Sequence, residues 1–129
     1  MKYDEIINEC EAIQAEVETV IPDEVNSVIE HAKRMAVYMA RTGYMLAEAK
    51  KAMRSKTTSE ICHTIIKLAK EGGLTATAQN ELIKNVAAEE WFLVDWADRL
   101  NRDCVHVIDL CRSIISKEKE EMKYLNFQK

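Results

Sequence analysis

Residues 91–114 read WFLVDWADRLNRDCVHVIDLCRSI, and the spacing of their apolar side chains decides the fold class. Leu93, Ala97, Leu100, Cys104, Val107, Cys111 and Ile114 alternate by four and three positions. That is the period of a helix face packed along another helix. The pattern predicts a helix over about 88–124, after which the tail EMKYLNFQK loses the period and is expected to fray. Asp95, Arg99, Arg102, His106 and Asp109 step along the opposite side. They read as the wet face of an amphipathic helix, with Asp95 and Arg99 spaced to pair.

A second seam lies upstream. Val25, Ala32, Met39, Leu46 and Met53 repeat every seven residues, and Val28, Met35, Thr42 and Ala49 complete the heptads. This predicts a helix over about 23–55, capped by Asp23. Two such helices, each about 50 Å long at 1.5 Å per residue, should lie antiparallel as a spine. A first helix over about 3–20 carries Ile6, Ile7, Cys10, Ile13, Val17 and Val20 and ends near Pro22. Thr57, Thr58 and Ser59 introduce a third over 59–71, stopped by Gly72 and Gly73. Thr75 or Thr77 opens a fourth over 76–86. The expectation is one all-α domain of 129 residues, an antiparallel bundle of four to five helices. Gly43 falls inside the second helix, where it reads as a close-packing point.

Composition agrees. Three Gly and one Pro leave almost no material for hairpins, so an all-β fold is close to excluded. The longest nearly uncharged stretch, Met35 to Ala47, is interrupted by Arg41 and is too short to span a bilayer, so no membrane partner is expected. The start, MKYDEIINECEAIQ, has no secretory pattern. Cys10, Cys62, Cys104 and Cys111 are therefore expected as reduced core thiols of a cytoplasmic protein. A zinc site drawn from Cys104, His106, Cys111, Cys62 and His63 is disfavoured, because positions two apart on a helix point about 200° apart. No cofactor is read from the sequence.

The net charge of −4 conceals segregation. Residues 1–30 hold nine acids and one Lys, a net of −8; residues 31–56 hold seven bases and Glu48, a net of +6; the remainder carries −2. Either the acidic first helix lies against the basic second one, or the basic helix presents Lys50, Lys51 and Arg54 to phosphate groups. Arg41, between Tyr38 and Tyr44, has two readings as well. It could stack a base and bind a phosphate together with Tyr44, or it is a snorkelling or structurally paired side chain. Arg99, Arg102 and His106 would join such a ligand site across the bundle. Val37, Tyr38, Tyr44 and Met45 make the second helix apolar outside its seam. They call for cover by another helix or by another copy, a homo-oligomer. Trp91, Phe92 and Trp96 anchor either the end of the core or a binding surface.

No Gly-rich phosphate loop, Gly-x-Ser-x-Gly or paired His motif occurs. A helical, metal-dependent nucleotide pyrophosphohydrolase needs clustered carboxylates. Glu89, Glu90, Asp95 and Asp98 come nearest, but Leu93 stands where that pattern needs an acid.

The segments ARTGYMLAEAKK (40–51) and AEEWFLVDWADRLNRDCVHVIDLCRSIIS (88–116) resemble a group of small helical proteins encoded by bacteriophages and prophages near recombination genes. The resemblance covers under half the chain and carries over no site residues. It implies a non-catalytic accessory protein of the infected bacterium's cytoplasm. Two functions fit. One is binding an anionic ligand, single-stranded nucleic acid or a nucleotide signal sequestered against host defence. The other is an inhibitor or adaptor of a host or phage protein. The hydrolase is the distant third.

Overall fold

The computed structural model describes residues 1–128. The described residues form five helices: α1 (Tyr3–Val17), α2 (Val25–Thr57), α3 (Glu60–Lys70), α4 (Ala76–Val86) and α5 (Ala88–Gln128). Among the described residues there is no strand, and no helix is long and apolar enough to cross a membrane.

The α2–α5 pair is the largest helix contact. It runs antiparallel, since Thr42 meets Asn101 while Lys56, further along α2, meets Glu90, further back on α5. The predicted seam on α5 is in place: Leu93, Ala97, Leu100, Cys104 and Cys111 are buried, and Val107 and Ile114 are half-buried. On α2 the row Val28, Met35, Thr42 and Ala49 is fully buried, while Met39, Leu46 and Met53 sit half-buried beside it. His31 and Met45, outside the predicted seam, are buried too.

One polar clamp crosses this pair. Asn101 Nδ2 donates to Met39 O at 2.8 Å and to Thr42 Oγ1 at 3.2 Å, and the Thr42 hydroxyl donates back to its own helix at Tyr38 O. Each buried polar atom thus has a partner, which is why Thr42 is tolerated in an apolar seam. Gly43 lies beside the same Asn101. A methyl there would stand 3.7 Å from Nδ2, ordinary contact, so the close approach expected at Gly43 is not required.

The third core helix is α1, which buries Ile6, Cys10 and Ile13. It lies antiparallel to α2, with Met1 at Glu48 and Glu9 at Arg41. It touches α5 through Gln14 and Trp96. This is the cover that α2's second face needed: Met45 is fully buried and Tyr38 half-buried, leaving Val37 and Tyr44 exposed.

Three boundaries differ from expectation. α1 stops at Val17 because the Thr19 hydroxyl and amide both bond Glu16 O, turning the chain before Pro22. Val20, counted in the buried stripe, is consequently 90% exposed. α2 is capped by Glu24 and not Asp23: the Glu24 carboxylate accepts from the Asn26 and Ser27 amides at 3.0 and 2.9 Å. Those bonds hold its pKa below the usual carboxylate value. The third difference is the tail. α5 continues through Gln128, past the expected end near 124, because Lys, Glu and Met at 117–123 are strong helix formers extending an existing helix.

The break before α5 is real, with Ala87 buried as the C-cap of α4. At the end of α3, Gly72 adopts φ +81°, and the Gly72 and Gly73 amides bond Ala69 O and Leu68 O. This left-handed C-terminal motif stops the helix where the glycine pair predicted.

Candidate functional site

Arg41 is committed to the fold. Its Nε donates to Glu9 Oε2 at 2.5 Å, its guanidinium carbon stands 5.1 Å from the Tyr44 ring centre, and Nη2 approaches Met1 Sδ at 3.7 Å. The bond to Glu9 raises the pKa of Arg41. Of its two readings, the geometry is that of a structural ion pair between helices, with Tyr44 as the stacking partner. Because the pair is partly solvated, its contribution is small. Arg41→Ala is expected to lower the melting temperature by a few degrees at most and to speed amide exchange in α1. A collapse of the helical fold in this variant would show that Arg41 carries more than the docking of α1.

The other predicted site residues do not converge on it. Lys50 is nine residues from Arg41, half a turn away around α2 at about 100° per residue. Lys50, Lys51 and Arg54 are exposed and lie beyond the end of α1, which meets α2 at Glu48. No ion pair involves them among the described residues. Arg99, Arg102 and His106 are exposed on the side of α5 away from the α2 seam. Arg102 pairs with Asp98 at 2.9 Å, in place of the expected Asp95–Arg99 pair. The eight residues therefore divide into an α1-facing pair (Arg41, Tyr44), a basic end of α2 and a polar line on α5.

The four cysteines are free and buried. Burial pushes the Cys10 thiol up to about 11 and raises Cys104 and Cys111, which makes them poor nucleophiles. Among the described residues no group of three or more His, Cys, Asp or Glu is placed to hold a metal ion. Glu90, one of the clustered acids, is buried and bonded by Lys56 Nζ at 3.1 Å.

A surface of a different kind lies on α5 beside α4 and α1. Trp91 and Trp96 are half-buried, but Phe92 is 54% exposed, with its ring centre 5.5 Å from that of Trp96. Phe92 joins two shallow depressions. One, of about 550 Å³, runs to Glu81 and Lys84 of α4; the other, of about 360 Å³, runs to Trp96 and Arg99. Trp96 is held in place because its indole Nε1 donates to Gln14 Oε1 at 3.1 Å, and Gln14 Nε2 donates in turn to Glu18 at 2.8 Å. At the other end of α1 the Tyr3 phenol has a raised pKa, first from burial and then from the charges of Glu89, Glu90 and Asp4.

The cluster of large aromatics was legible in the sequence; which of them faces solvent was not. Compared with known protein families, with curated proteins and with solved structures, the chain matches none.

Proposed function

We propose that this protein is a non-catalytic interaction factor, an inhibitor or adaptor that binds another protein through the α1–α5 face. The observation that carries this reading is Phe92. A large aromatic side chain is left more than half exposed, packed on a Trp96 that Gln14 of α1 holds, and flanked by Glu81 and Lys84 of α4. Aromatic residues of this kind, with Arg99 beside them, dominate the energetics of protein interfaces. Together with the resemblance of residues 40–51 and 88–116, this reading makes the protein a phage accessory factor acting in the bacterial cytoplasm.

A second reading rests on a separate observation. Lys50 and Arg54 are four residues apart on one flank of α2, Lys51 adjoins them within range of the Glu48 charge, and none of the three forms an ion pair among the described residues. That end of α2 is where an anionic ligand, single-stranded nucleic acid or a nucleotide, would bind.

The two readings separate by photo-crosslinking. A photoreactive residue at Phe92 should give protein adducts in the producing cells, and one at Arg54 should give none. Nucleic-acid adducts at Arg54 alone, weakening steeply with salt, would reverse the ranking.

A further inference from the structure

We infer that the α1–α5 face is a docking groove for a basic amphipathic helix of a partner protein, which seats an apolar side chain on Phe92 and Trp96 and sets Lys or Arg side chains along an acidic rim. The inference rests on the interaction reading above and adds the chemistry of the partner.

The rim follows from the register of α1. Asp4, Glu11 and Glu18 are seven residues apart and form one exposed stripe. Glu18 is tied into the groove through Gln14, the residue that holds the Trp96 indole, and Glu11 stands three residues before Gln14 on the same flank. From α5, Glu89 and Asp95 add exposed carboxylates. None of these five acids has a cation within 4 Å among the described residues.

Glu9, on the α2 side of α1, is by contrast paired with Arg41. On that side Arg41 offsets one acid, and Glu16 stands near His31 with no ion pair among the described residues. Beside the aromatics the five unpaired acids outnumber Lys84 and Arg99, which also border Phe92, so this flank stays net negative, attracting a cationic partner and repelling an acidic one. A second copy meeting this face with the same face would set acid against acid, so a symmetric dimer is disfavoured here. The length also fits. α1 is 15 residues, about 22 Å, enough for roughly four turns of a partner helix lying alongside with anchors at i, i+3, i+4 and i+7.

The test uses the full chain and three synthetic helices of about 14 residues with the same Leu pattern and with Lys, Gln or Glu at the polar positions. Binding is followed by calorimetry and by amide and indole shifts. The Lys peptide should bind at least about tenfold more tightly than the Gln peptide, and the Glu peptide most weakly. The shifts should centre on Phe92, the Trp96 indole and Glu18. Phe92→Ala should weaken the Lys peptide by about tenfold or more. Glu11→Lys, a change at an exposed acid outside the hydrogen bonds that join Trp96, Gln14 and Glu18, should shrink the Lys-over-Gln preference while leaving the Gln peptide's affinity unchanged. Both positions are exposed, so unchanged circular dichroism is expected in both variants.

Equal affinity for the Lys and Gln peptides at Phe92 would overturn the basic partner and leave the interaction surface standing. Binding indifferent to Phe92→Ala, or shifts centred away from Trp96, would overturn both. Self-association abolished by Phe92→Ala would identify a second copy as the occupant and also overturn the inference.

Discussion

Leu100→Ala is expected to destabilise the protein by about 3–5 kcal/mol. Leu100 is fully buried, and its neighbours along the seam, Ala97 and Cys104, are small and also fully buried. Neither can swing into the space a missing isobutyl group leaves. The core cluster around it draws on α1, α2 and α5 at once, through Ile13, Met35, Met45 and Ala49. A cavity there loosens all three helices. Against a total stability of about 5–15 kcal/mol, the loss is a large fraction. Urea unfolding followed by far-UV circular dichroism should show a lower midpoint with an unchanged slope. A loss below about 1 kcal/mol would mean that the three-helix core closes over the gap and is not tightly packed.

The second large effect concerns His31. Its side chain lies in the α2 seam at 2% exposure, and its Nε2 has no hydrogen-bond partner; Nδ1 stands 3.2 Å from Arg34 Nη2. Burial first, and then the Arg34 charge, lower its pKa below 6.5, while Glu16 on α1 partly opposes them. The folded protein thus holds His31 neutral where the unfolded chain would bind a proton. The contribution is fully present above pH 6.5 and is lost as pH falls through the folded value. In that window the slope approaches, at most, about 1.4 kcal/mol per pH unit. His31→Leu should flatten the difference. Stability measured from pH 7.5 to 4.5 should fall more steeply for the native chain than for the variant. Parallel curves would show that His31 finds a partner when protonated.

His31 also shows where sequence reading stopped. Positions 28, 35, 42 and 49 were legible as a seam because the heptad period repeats without interruption over four apolar or small residues. A histidine at 31 breaks that apolar alphabet, and the period alone does not reveal that the helix buries it. Met45 was read as part of a second apolar face; its actual cover, α1, depends on how three helices pack, which no single helix encodes. For the site, residue types were visible and neighbours were not. Arg41 drew attention as an isolated charge between tyrosines. Its partner Glu9 is 32 positions away, and only the docking of α1 brings them together. The half-turn that separates Arg41 from Lys50 was readable from helical geometry, whereas the free carboxylates beside Phe92 were not.

The Asn101 clamp constrains how the bundle can move. An amide that bonds both Met39 O and the Thr42 hydroxyl finds that pair of acceptors at one place along α2. Sliding α5 by one turn, about 5.4 Å, would strand the amide and the hydroxyl inside the seam at about 1–3 kcal/mol each. Shear between the long helices is therefore opposed. Motion of the hinge type, with α1 swinging away from or towards a spine of constant register, leaves the clamp intact.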